Sequence, residues 1–170
     1  MSEAARSWRF EPTMTSAREA ASAGELGDWS QVFNRSEHGN LGIAEGLLRD
    51  DYVYMLSEVD LRDLHSPSGP ESDFDFPYEP ADWERNVAAM MRAFEKGWDA
   101  PPLFAHLPTY YVADGAHRRE ALLRLGRVSY SAVCWMTRPR IIGRGQPWYP
   151  RDGGRGQSVH TTAADLERRD

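Results

Sequence analysis

The sequence predicts an α+β fold: a small mixed sheet covered by helices, with an added helical segment on its N-terminal side. Three observations carry this. Runs of β-branched and aromatic residues at 51–61, 101–107, 109–114 and 128–136 read as strands. They are interrupted by a long loop, a helix and a second, short helix, in the order strand, loop, helix, strand, strand, helix, strand. That order suits a sheet layered with helices better than a doubly wound one. Residues 15–50 have helix composition, and a 170-residue chain that is 41% hydrophobic can bury one core.

Residues 1–14 read as a flexible leader and residues 15–137 as a single domain, with 15–50 as its helical extension. In TSAREAASAGEL, 15–26, Thr15 or Ser16 is placed to cap a helix and Gly24 to end it. After DWSQVFNRSEHGN, the segment LGIAEGLLRD predicts a short helix capped by Asn40. DYVYMLSEVDL predicts a strand through about Leu56 and a turn after it. The following RDLHSPSGPESDFDFPYEP is long, acidic and proline-bearing, the profile of a functional or mobile loop. Asp82 then caps a helix whose stripe is Trp83, Val87, Met90, Met91, Phe94 and Trp98, with Gly97 at its end. Two strands lead to GAHRREALLRLG, a helix with Ala121, Leu122 and Leu125 inward and Gly126 as its stop, and VSYSAVCWM closes the sheet. Residues 138–170 are a Gly/Arg-rich, irregular tail.

Composition narrows the function. No apolar run approaches the ~18 residues of a membrane span, and the charged start is not a secretory signal. The expectation is a cytoplasmic protein with no membrane partner. Cys134 is the single cysteine, which rules out an internal disulfide and reads as a small buried hydrophobe. Twenty-six acids against 20 bases give a net charge of −6, which argues against nucleic acid as the main partner and suits a small-molecule enzyme.

The chemistry concentrates in VADGAHRREALLRLG, 112–126, where a strand runs into Asp114-Gly115-Ala116-His117-Arg118-Arg119 and a helix starts at once. The first N–H groups of a helix are unpaired and carry partial positive charge, and a glycine at the junction admits a ligand close to the backbone. Gly115, Ala116 and His117 therefore form a candidate anion cradle, to which His117 and Arg118 add donors. Asp114 either holds a divalent metal beside the anion or caps the helix.

YYVADGAHRREALLRLG, preceded by PPLF and followed by a strand, resembles the nucleotide-binding core of the ParB/sulfiredoxin-like superfamily over roughly residues 51–136. A sulfiredoxin carries a catalytic cysteine where this chain has Ala116, and a ParB partition protein needs a second motif and a helix-turn-helix domain downstream. The free serine kinases carry Asp-Gly-His-His-Arg, and DGAHR matches four of those five positions, departing at Ala116.

The resemblance implies a nucleotide- and Mg²⁺-dependent phosphotransferase acting on a hydroxyl of a small metabolite. Its nucleotide would be ATP or ADP, with CTP a further candidate. Gly115, Ala116, His117, Arg118 and Arg119 would bind the phosphates, Asp114 would hold the Mg²⁺, and Asp114, His117 and Glu71 would be catalytic. Glu71 is the first choice for the base that activates the acceptor, with Glu58 and Asp73 as alternatives. The other readings are a ParB-like nucleic-acid-associated regulator or nuclease, and a non-catalytic nucleotide-binding partner protein.

A second polar cluster, Arg35, Glu37 and His38 ahead of Asn40, offers a place for an acidic substrate group, although such loops are commonly plain surface. Trp148 and Tyr149, between Arg144 and Arg151, have the makings of a stacking platform for single-stranded nucleic acid, or pin the tail to the body.

Overall fold

The structure is a computed structural model that describes residues 10–46, 52–72, 78–107, 109–137, 140–141 and 147–148. Residues through Arg138 form one compact unit, and those from Pro139 onward a second.

Helix α1 (Met14–Ser22) starts earlier than expected because Thr13, not Thr15 or Ser16, is its cap; the Thr13 hydroxyl accepts the Ser16 N–H at 3.2 Å. Ser16 is buried instead, and its Oγ accepts the Trp29 indole N–H at 2.9 Å. Gly24, at φ +76°, ends this first helical stretch, and a helix absent from the sequence reading follows: α2 (Leu26–Arg35). Leu26, Trp29 and Phe33, spaced i, i+3, i+7, form its buried face. Helix α3 (Leu41–Gly46) opens as expected on Asn40, whose Oδ1 accepts the Gly42 N–H at 2.9 Å.

Strand β1 (Tyr52–Asp60) runs four residues past the expected turn at Leu56. Helix α4 (Pro80–Glu95) begins with Pro80 in its first turn and Glu79 as the cap residue, while Asp82 pairs with Arg85 at 2.6 Å. Gly97, at φ +82°, ends it, but Trp98 lies beyond the stripe and is 38% exposed. Strands β2 (Leu103–His106) and β3 (Tyr111–Asp114), helix α5 (Ala116–Arg124) and strand β4 (Ser129–Thr137) complete the first unit. In the second unit the described residues pair as β5 (Arg140–Ile141) with β6 (Pro147–Trp148), so the tail is not wholly irregular. Tyr149 and Arg144, and the remainder of the tail from 149, lie outside the described residues, as does the side chain of Trp148.

The sheet has the order β1-β4-β2-β3, with β1 and β3 antiparallel to their neighbours and β2 parallel to β4. It is mixed, and the class is α+β. Period-2 alternation on the central strands splits the core in two. Phe104, Val133 and Trp135 meet Ala17, Ala20, Trp29 and Phe33 of α1 and α2. Leu103, Ala105, Ala132 and Cys134 meet Leu61, Leu64 and Leu122 on the other face. The N-terminal helices are thus the added layer, and α5 lies across the sheet from them.

Cys134 is fully buried, and burial pushes its thiol up to about 11, as suits an unreactive core residue. Helix α4 packs beside α5 through Trp83, Val87 and Ala121. Arg124 clamps the pair, giving both terminal nitrogens to Glu84 at 2.6 and 2.8 Å and its Nε to Glu120 at 2.7 Å. Among the described residues no helix is long and apolar enough to cross a membrane.

On the first face, Trp29, Phe33 and Phe104 form a continuous stack, with centroids 5.1 Å apart for Trp29–Phe33 and 5.2 Å for Phe33–Phe104. Phe33→Ala opens a cavity in its middle, and urea unfolding should show a loss of roughly 3–5 kcal/mol. A change near zero would mean that this layer does not belong to the cooperative core.

Candidate functional site

The loop between β3 and α5 is one residue long. Gly115 makes the turn at φ +99° and, having no side chain, gives no cap to the N–H groups of Ala116, His117 and Arg118, which lie ahead of the first intrahelical bond. A Cβ at position 115 would stand 2.6 Å from Leu103 Cδ2 and 2.9 Å from Arg118 Nη2, so the position needs glycine for both its conformation and its space.

Arg118 folds back across this helix start. Its Nη2 donates to Asp114 Oδ2 at 2.7 Å and to the Pro102 carbonyl at 3.3 Å, and the residue is 6% exposed. Its Nε–H is buried and has no partner among the described residues. Arg119 is buried as well, and its Nε donates to the Leu61 carbonyl at 2.8 Å. Burial lowers the Arg119 pKa, opposed by the nearby charges of Glu71 and Glu120. The two arginines that the sequence offers to a ligand are therefore both held inside the fold, and Arg118 keeps a buried Nε–H at the helix start that no described acceptor takes.

His117 stands between α5 and α4, its ring 4.3 Å from that of Trp83. Burial lowers its pKa, Asp114 pulls the other way, and Arg118 adds to the lowering. Beside it opens a groove of about 560 Å³ along α4, lined by Asn86, Met90, Lys96 and Trp98 among others. Glu71 comes to the same helix from the loop after β1. It is exposed and borders, with Ser66, Ser68, Trp83, Ala116 and Arg119, a cavity of about 10 Å³.

The structure thus gathers Glu71, Asp114, Gly115, Ala116, His117, Arg118 and Arg119 at one end of α5. Glu58, the first alternative base, accepts hydrogen bonds from the hydroxyls of Ser129 and Ser131 on β4; Asp73 lies outside the described residues. Arg35, Glu37 and His38 do not join the cluster. They are exposed at the end of α2, on the opposite sheet face from α5, where His38 meets Glu37 at 3.5 Å. The loop after β1 is also less free than expected, since Ser66, Ser68 and Ser72 knit residues 66–72 together. Trp83 and the α4 groove were missed at the site because a tryptophan at helical spacing reads as core, which Trp83 also is.

No family model and no curated protein matches the chain. Among solved structures it is similar to one described as the C2221 form of a Pnob8-like ParB-N domain, with 16% identity and a TM-score of 0.38. The match covers 51% of this chain and 32% of that one, so the chain spans about a third of that structure. A TM-score this low carries no weight for function.

The lowered His117 pKa has a definite sign. The unfolded chain takes up this proton near the ordinary value of 6.5 and the folded chain only at lower pH, so stability falls as pH drops below 6.5 and levels off under the folded value. Urea midpoints of wild type and His117→Gln should converge as the pH is lowered from about 7.5 to about 5. A difference that stays constant would show that His117 is not held neutral.

Proposed function

We infer that the first turn of α5 binds nucleotide phosphates and that the chain is a phosphotransferase acting on a hydroxyl of a small metabolite, in a ParB/sulfiredoxin-like setting close to the free serine kinases. The observation that carries this reading is the pairing of three uncapped amides, those of Ala116, His117 and Arg118, with a buried, unpartnered Arg118 Nε–H at the same helix start. Donors withheld from the protein's own acceptors in that place suit an anion. The groove beside His117 has room for the nucleoside of ATP or ADP, and CTP would fit the same chemistry.

Asp114 serves first as the counter-ion that holds Arg118. Its second carboxylate oxygen would be the chain's contribution to a Mg²⁺, which would supply neutralisation of phosphate charge. Among the described residues no group of three His, Cys, Asp or Glu gathers to hold a metal, so such an ion would come with the nucleotide.

Glu71 is the base of this reading. It takes the proton of the acceptor hydroxyl as that oxygen bonds to the terminal phosphorus. The phosphorus–oxygen bond to the rest of the nucleotide breaks, and the shortened nucleotide (ADP from ATP, AMP from ADP) leaves with the bonding electron pair. His117, neutral near pH 7, donates a hydrogen bond to phosphate without adding charge.

One observation favours a second reading, binding without transfer. Arg118 and Arg119 already donate to acceptors inside the fold, the Asp114 carboxylate and the Leu61 carbonyl. Acceptor-dependent consumption of ATP separates the two.

ATP with Mg²⁺ at a hundredfold excess over its dissociation constant should stabilise the chain by ~2.7 kcal/mol in a thermal melt. Glu71→Gln should keep that shift and lose transfer to a panel of hydroxyl acceptors such as L-serine. No shift with any nucleotide would end the phosphate-site reading, and a shift without acceptor-dependent turnover in wild type would leave the binding module.

A further inference from the structure

We propose that the contact between Trp83 and Gly69 is a positioning device that sets Glu71 against the first turn of α5; the proposal rests on the phosphate-site reading above. Trp83 is 5% exposed and touches both halves of the site. One part of its indole lies against His117, with ring centroids 4.3 Å apart. Another supports the backbone at Gly69, where a Cβ would fall 2.5 Å from both Cη2 and Cζ2 of the ring. Gly69 also has φ +95°, so the chain passes the indole in a conformation and at a distance that an L side chain does not tolerate.

The segment supported in this way is internally braced. Ser66 Oγ donates to the Ser68 carbonyl at 2.6 Å, Ser72 Oγ donates to the Pro67 carbonyl at 2.7 Å, and the Ser72 N–H donates to the Gly69 carbonyl at 3.2 Å. At its start His65 is bonded to the edge of β3, its N–H to the Tyr110 carbonyl and its carbonyl to the Val112 N–H, each at 2.9 Å. Residues 65–72 therefore behave as one piece, fastened to the sheet at His65 and resting on Trp83 at Gly69. Glu71 follows two residues later and borders the same small cavity as Trp83, Ala116 and Arg119. A shift at Gly69 moves Glu71 relative to α5, while Gly115 and the Arg118–Asp114 pair are held from another side, by Leu103 and the Pro102 carbonyl.

A positioning role predicts a split that simple packing does not. Four full-length proteins are compared: wild type, Gly69→Ala, Trp83→Phe and the double variant. ATP affinity is read by calorimetry, and the single-turnover rate of phosphoryl transfer from ATP is read with L-serine as acceptor. Gly69→Ala should hold affinity within about twofold while the rate falls about tenfold or more. Trp83→Phe removes the ring edge that the new methyl meets, so the double variant should recover part of the rate lost in Gly69→Ala.

An unchanged rate in Gly69→Ala overturns the proposal. So does a parallel fall in affinity, rate and melting temperature, which marks a packing contact only. A wild-type chain that binds no ATP instead overturns the phosphate site and the reaction with it. Deuterium exchange then still reads the contact: faster exchange confined to 66–72 in Gly69→Ala supports it, and unchanged exchange rejects it.

Discussion

A guanidinium laid across the start of a helix is the constraint on which the rest of this site depends. The first turn of α5 already carries partial positive charge, and Arg118 adds a full one while nearly buried. Asp114, four residues earlier and at the end of β3, offsets that charge at 2.7 Å. The Pro102 carbonyl anchors the same nitrogen to the start of β2. Gly115 is what lets the arginine pass, since a Cβ there would collide with it. One side chain thereby ties two strands and a helix together, and it concentrates donors where no protein acceptor consumes all of them. Local rules of helix design are broken at this position, and such breaks tend to mark function.

The sheet decides what can reach that place. Because β2 and β4 are covered on both faces, the N-terminal helices take one side, and α5 with α4 takes the other. Arg35, Glu37 and His38 belong to the first side, at the turn between α2 and α3. Gly39 packs there against the Phe33 and Asn34 backbone closely enough that a Cβ would lie 2.4 Å from the Phe33 carbonyl oxygen. Residues from the loop after β1 belong to the second side, which brings an acid near α5 from 45 residues away in the chain, Glu71 to Ala116.

The sheet and the helices on its C-terminal side were legible because their signals are local: alternation in VSYSAVCWM, the Asp-Gly turn, and Gly97 and Gly126 as stops. Helix α2 was not. Its cap residue, Glu25, makes no side-chain capping hydrogen bond, and its buried residues Leu26, Trp29 and Phe33 are spread among polar ones. The far end of β1 was also hidden, because Ser57, Glu58 and Asp60 are weak strand signals; all three pair with β4, where Glu58 accepts hydroxyl bonds from Ser129 and Ser131. At the site, the sequence showed Asp114 and Arg118 four residues apart on either side of the strand-to-helix turn. It could not show that they bond each other, because that depends on the Pro102 carbonyl and Leu103 side chain closing the other side. Trp83 carries two roles at once, and only its burial role leaves a periodic signal.

The most direct measurement is a titration of ¹⁵N-labelled protein with inorganic triphosphate, followed by amide and arginine side-chain resonances. If the start of α5 grips a polyphosphate, the largest shifts fall on the Ala116, His117 and Arg118 amides and on Arg118 Nε–H, with little change at Arg35, Glu37 and His38. Shifts that are absent, or centred away from α5 while these four signals stay still, would contradict it.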